Sequence, residues 1–261
     1  MNINLKNKNA LICGSTAGIG QATALLMADL GANITLVARD EEKLKSTLKK
    51  LSKVAGQTHD YIVADFNAPE NLKVKVETAT KQKDYHILLN NTGGPKGGPI
   101  YEAETNEFTN AFSQHVICNQ ILVQALVPGM KKAKYGRIIN VISTSVKQPI
   151  DGLGVSNTVR GAVASWSKTM ANELGEFGIT VNNILPGFTA TGRLDQIIAN
   201  KSKKQNKSES EVAEAMKNSV PAKRFGQPEE LANAIAFLAG EAASYINGVS
   251  LPIDGGRTKS L

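Results

Sequence analysis

Short apolar runs alternate with longer amphipathic stretches along the whole chain. Residues 9–13, 33–38, 61–64, 86–89, 136–142, 180–185 and 250–252 form compact runs rich in Val, Ile, Leu and Ala. Runs that are apolar at successive positions read as strands buried on both faces of a parallel sheet. Between them, apolar residues recur at the helical period over 18–30, 41–55, 70–80, 105–130, 157–174 and 228–238. Strand and helix in regular alternation predict an α/β fold, a single doubly wound parallel sheet with helices on both faces. In helix 157–174, Val159, Val163, Trp166 and Met170 share one face, which makes Trp166 a core residue rather than a ligand contact.

The segment 189–224 breaks this rhythm. It is long, polar and helical in propensity yet interrupted, and it follows the carboxyl end of a predicted strand. Ligands of open α/β sheets bind at that edge, so the segment is expected to be a lid over the substrate; its bland alternative is a disordered surface excursion.

The 261 residues, 41% of them hydrophobic, suffice for one large core, and no repeat or linker divides them, so residues 1–261 are expected to form one domain. The first residues carry no apolar signal core, and no apolar run approaches the length that spans a bilayer. Two cysteines, Cys13 and Cys118, have neither disulfide-framework nor metal-ligand spacing. A cytoplasmic protein without membrane contact is expected. The net charge of +7 comes from lysines clustered over 43–53 and 201–207. Solvated helix faces account for them. Attraction for an anionic partner, such as an acyl-carrier protein or a CoA ester, is the sharper alternative. Nucleic acid is disfavoured, because only 5% of residues are aromatic and no recognition motif accompanies the lysines.

Candidate chemistry begins after the first strand, where Cys13-Gly14-Ser15-Thr16-Ala17-Gly18-Ile19-Gly20 runs straight into a helix. Small residues let backbone approach a pyrophosphate, and a helix start offers unpaired N–H groups and a positive dipole. Such a turn after a strand marks a Rossmann-like dinucleotide site. The second strand ends at Arg39, where an acidic residue would grip a ribose 2′-hydroxyl and an arginine suits a 2′-phosphate. NADP(H) is therefore favoured over NAD(H), although Asp40 sets a negative charge beside that arginine. Asp65 and Phe66 end the third strand, with the carboxylate suited to an adenine amino group. The fourth ends at Asn90-Asn91-Thr92-Gly93, and the sixth at Pro186-Gly187-Phe188-Thr189-Ala190-Thr191, whose backbone and hydroxyls suit a carboxamide.

Together these segments resemble the short-chain dehydrogenase/reductase family over essentially the whole chain. The glycine turn is similar to that family's Thr-Gly-x-x-x-Gly-x-Gly, and Asn90-Asn91-Thr92-Gly93 to its Asn-Asn-Ala-Gly. Residues 224–230, Asn247-Gly248 and Asp254-Gly255-Gly256 resemble the tail of 3-oxoacyl-(acyl-carrier-protein) reductases. The resemblance implies hydride transfer between NAD(P)H and a carbonyl or alcohol by an Asn, Ser, Tyr and Lys set, and a homotetramer built through helices 105–130 and 157–174. Ser143 falls on the family serine. The tyrosine position holds Ser156, the lysine position Arg160 and the asparagine position His115. The chain thus resembles a diverged subgroup with Ser-Asn-x-x-Arg in place of Tyr-x-x-x-Lys.

A serine is a far weaker and shorter acid than tyrosine, and an arginine does not release its proton under ordinary conditions. Arg160 still suits the nicotinamide ribose hydroxyls, so cofactor binding is expected to survive. Neutral His115, linked by water to the substrate, is a candidate proton relay, with a histidine hydrogen-bonded in the core as the plain alternative. Lys147 is a weaker candidate. Two functions follow: an NADP(H)-dependent oxidoreductase acting on a small carbonyl or acyl compound by a non-standard proton route, or a catalytically inactive dinucleotide-binding sensor or subunit.

Overall fold

A computed structural model describes residues 3–260 of the chain. Among them, seven strands form one sheet: β1 (Asn9–Cys13), β2 (Asn33–Ala38), β3 (Asp60–Val63), β4 (Ile87–Asn90), β5 (Gly136–Val141), β6 (Ile179–Pro186) and β7 (Ser250–Ile253). Their order is β3-β2-β1-β4-β5-β6-β7, and each neighbouring pair is parallel. The chain winds outward in both directions from β1 and β4. Loops leaving those two strands therefore part, and the crevice between their carboxyl ends is where such sheets bind ligands.

The helices are α1 (Gly18–Asp29), α2 (Glu41–Leu48), α3 (Pro69–Thr80), α4 (Thr105–Phe112), α5 (Cys118–Ala133), α6 (Gly154–Leu174), α7 (Gly192–Gln205), α8 (Glu209–Asn218) and α9 (Pro228–Ala239). Successive strand residues point to opposite faces, and both faces are buried. Ala10 and Ile12 pack with Met27 of α1, Leu44 of α2 and Ile235 of α9. Leu11 and Cys13 pack with Val76 of α3, Leu122 of α5 and Leu174 of α6. No described helix is long and apolar enough to cross a membrane.

Two expectations need correction. The helix expected over 41–55 ends at Leu48, because the chain turns to bury Leu51 in the core. The helix expected over 105–130 is broken by a π turn at Ser113–Ile117 and resumes through Pro128 to Ala133. Segment 189–224 is no disordered excursion: α7 and α8 form a hairpin around Leu194, Ile198, Val212 and Met216, flanked by Phe188 and Phe225. Trp166 packs against the core, and its indole N–H donates to Gln120 Oε1 at 2.8 Å.

One rung of polar side chains crosses the buried sheet. Asn90 Nδ2 donates to Asn140 Oδ1 at 2.7 Å, Asn140 Nδ2 donates to Asn183 Oδ1 at 3.1 Å, and Asn183 Nδ2 donates to Ser250 Oγ at 3.1 Å. Asn140 also donates to Ser167 Oγ of α6 at 2.9 Å, which ties that helix to the sheet just before the strands end.

Candidate active site

A groove of about 360 Å³ opens over the ends of β1, β2, β3 and β4, and Gly14, Thr16, Arg39, Asp65, Phe66 and Asn91 line it together with Gly93. Gly14 has φ +60°, and a side chain there would start 2.7 Å from Asn91 Nδ2. A Cβ on Gly20 would strike the Gly14 carbonyl oxygen. Only glycine folds the turn this tightly onto the start of α1. That start, at Gly18 and Ile19, has no side-chain cap and no acidic residue in its first turn, so its amides remain open to an anion. Ser15 holds the turn in place through its side chain. It is fully buried and its hydroxyl donates to the Val37 carbonyl at 3.3 Å, so the side chain fastens the turn to β2 instead of facing the groove.

Arg39 is exposed at the groove and joins no ion pair or hydrogen bond among the described residues. The neighbouring Asp40 turns away to cap α2, accepting from the Lys43 amide at 3.0 Å and pairing with Lys43 Nζ at 3.3 Å. Asp65 accepts through Oδ1 from the Asn67 amide and side chain, both at 2.9 Å, which leaves Oδ2 open. Gln114 of the π turn donates to Asn67 Oδ1 at 2.7 Å and lines the same groove. The β6 loop lies across from these groups. Gly187 N–H donates to the Ile253 carbonyl at 3.0 Å, extending from the Pro186 end of the strand. Thr189 and Thr191 donate their hydroxyls to the Gly187 and Thr189 carbonyls, each at 3.3 Å, so each keeps lone pairs to offer. The Thr191 methyl stands 3.0 Å from the side-chain direction of Gly18.

The π turn places His115 in the interior, 2% exposed, with Nε2 unpartnered. Burial above all, then the Arg160 charge, pulls its imidazole down to about 3 against the Gly93 backbone, so His115 is neutral. Arg160, 8% exposed on α6, donates from Nη1 to the Val141 carbonyl at 2.8 Å and leaves Nε unpartnered. Burial first, and then the Arg193 charge, lower its guanidinium to about 10, which keeps it charged at neutral pH. Ser143 Oγ accepts from the Ser145 amide at 3.1 Å, leaving its own proton free to donate. Ser156 Oγ has no partner among the described residues, and Lys147 is exposed. The loop after β4 is pinned from two sides: Gly98 N–H donates to the Gly152 carbonyl at 2.8 Å, and Arg193 Nη2 donates to the Pro95 carbonyl at 3.0 Å. Asn67, Gln114 and Arg193 carry no signal in the sequence alone, being polar residues in polar segments.

A family model described as enoyl-(acyl carrier protein) reductase matches residues 14–258. The chain is a short-chain dehydrogenase/reductase. This short-chain dehydrogenase/reductase is 28% identical to the NADPH-dependent reductase BacG of Bacillus subtilis, across 98% of its own length and 100% of that protein. It is 31% identical to the 3-oxoacyl-(acyl-carrier-protein) reductase FabG of Vibrio cholerae, over 97% and 98% of the two chains. L-sorbose reductase from Gluconobacter frateurii, solved with NADPH and L-sorbose, superimposes with a TM-score of 0.93 at 32% identity, covering 100% of both chains.

Proposed function

We propose that this chain is an NADP(H)-dependent oxidoreductase acting on a carbonyl/alcohol pair through a proton route that bypasses the missing tyrosine. The observation that carries the cofactor reading is the unpaired Arg39 at the groove, with Asp40 turned away to α2. The groove residues fit the dinucleotide. Backbone at Gly14, Gly18, Ile19, Gly20 and Ser15 would take its diphosphate, Arg39 a 2′-phosphate, and Asp65 Oδ2 the adenine beside Phe66. Asn91 and Gly93 would border the nicotinamide half, with Pro186, Gly187, Thr189 and Thr191 at its carboxamide and Arg160 Nε at a ribose hydroxyl. BacG and the sorbose reductase are NADPH proteins by their descriptions, which supports the same choice here.

When bound, NADPH supplies the hydride. Ser143 donates its free hydroxyl proton in a hydrogen bond to the substrate oxygen and so stabilises charge developing there. Ser156 adds a second short hydroxyl without a competing partner. Neutral His115 has Nε2 free to hold a water; that water gives one proton to the forming alkoxide, and the hydroxide left behind takes a proton back from solvent. Relatives described as reductases and dehydrogenases lend no support to an inactive sensor.

The α7–α8 hairpin serves as the lid. A homotetramer formed through α4, α5 and α6 is supported by an apolar hollow in which Phe112 and Ile117 are each 42% exposed. The exposed lysines of 201–207 make an acyl-carrier protein an eligible partner.

The test is a separate titration with NADPH and NADH, followed by energy transfer from Trp166, the sole tryptophan, and then by nicotinamide absorbance over a carbonyl panel. Micromolar NADPH binding, weaker NADH binding and turnover lost in Ser143→Ala are expected. Binding without turnover on any carbonyl would overturn the enzyme reading. His115→Ala should remove turnover and leave NADPH affinity unchanged; retained turnover would sink the water route.

A further inference from the structure

Two guanidinium groups converge on one small space at the mouth of the site, and no carboxylate among the described residues pairs with either. A side chain on Gly94 would begin 3.7 Å from Arg193 Nη2 and 3.9 Å from Arg160 Nη2, so both cations face the gap that this glycine leaves. Arg160 reaches it from α6, and Arg193 from the first turn of α7. Arg160 is anchored by Nη1 on Val141 and, with Nε given to a ribose hydroxyl, turns Nη2 to the gap. Arg193 is anchored on the Pro95 carbonyl. Neither joins an ion pair among the described residues. The charge that bears on Arg160 is that of Arg193.

Two like charges held around one space, one of them buried, raise the energy of the protein unless an anion sits between them. A guanidinium edge matches a carboxylate with two parallel hydrogen bonds, and two edges fix its orientation. We propose that the space between Arg160, Arg193 and Gly94 takes the carboxylate of the substrate, so that the enzyme interconverts an oxo acid and a hydroxy acid. This deepens the reductase reading and rests on it. Ser143 lies two residues beyond the Val141 carbonyl that holds Arg160, which brings the carbonyl-polarising hydroxyl to the same strand end. The other anion within reach is the cofactor diphosphate. That group already has the glycine turn and the open start of α1 at the end of β1, with Thr191 beside Gly18, whereas the arginines stand past the ends of β4 and β5. Because Arg193 rides on α7, an anion bound by both arginines also fastens the helical hairpin to the sheet edge.

Calorimetric titration of the NADP+-saturated full chain with oxamate, an unreactive oxo-acid mimic, and with oxamide, its uncharged counterpart, tests this. Saturable millimolar binding of oxamate and none of oxamide are expected. Arg193→Met should weaken oxamate about tenfold or more, the worth of a charged hydrogen bond, and Arg193→Lys should recover part of the loss. NADPH affinity, read by Trp166 energy transfer in the same variants, should not move. If Arg193→Met weakens NADPH instead and leaves oxamate unchanged, the pair serves the diphosphate and the proposal fails. It fails equally if oxamate does not bind, or binds both proteins alike. Should the unsubstituted chain bind no NADPH, the reductase reading falls, and oxamate titrated without cofactor reports on the arginine pair separately.

Discussion

Asp40 accepts the Lys43 amide at 3.0 Å and thereby faces α2, not its neighbour Arg39. That hydrogen bond, foremost, holds its carboxyl below the usual carboxylate range, so it stays charged and committed to the cap. Arg39 is left to the groove. Arg39→Ala should raise the KM for NADPH by about 10- to 100-fold, from the loss of charged hydrogen bonds, and change the KM for NADH little. Steady-state kinetics with each cofactor decides it, and an equal rise for both would assign Arg39 a structural role.

His115 sets an acid limit on stability. Its folded value, about 3, lies below the ordinary histidine value of 6.5, so the unfolded chain binds the extra proton between those limits. Stability present above the unfolded value is therefore lost as pH falls through that window, by up to about 1.4 kcal/mol per pH unit for this one group. His59 and His86, also lowered by burial, add to the same trend. Urea unfolding between these limits should show a shallower pH slope in His115→Gln than in the parent chain. Parallel slopes would show that His115 is already protonated in the folded protein.

The asparagine rung predicts a stability loss with a particular cause. Asn140→Ala removes the acceptor of Asn90 and the donor of Asn183 in one step, inside a buried sheet. Leaving buried polar groups unpaired should cost about 3 kcal/mol in chemical denaturation. A loss below about 1 kcal/mol would mean that water enters and replaces the amide.

The apolar hollow beside α4 and α6 predicts assembly. Phe112→Glu, set among Phe108, Ile117 and Val159, should convert the proposed tetramer to a smaller species in sedimentation while the far-ultraviolet circular dichroism stays unchanged. An unaltered sedimentation profile would place the subunit contact elsewhere.

Strand positions were legible because buried parallel strands are continuous apolar runs with polar ends, and β1 and β2 lie where the pattern puts them. The helix interruption at Ser113–Ile117 was not, since a π turn adds one residue per turn without changing the apolar period enough to notice. The hairpin of α7 and α8 has few apolar residues, and only their packing against one another through Leu194, Ile198, Val212 and Met216 makes it ordered. The Ser15 hydroxyl bonds inward at the β1–β2 joint, a contact that position in the turn does not reveal.

The sequence by itself determined the sheet and the glycine turn, because these depend on local spacing and on side chains too distinctive to misread. The direction of Asp40, the depth at which His115 is buried and the meeting of Arg160 with Arg193 came only from tertiary structure. Charge and hydrogen bonding act through space, and residues 33 positions apart in the chain share one gap beside Gly94 only after α6 and α7 have packed.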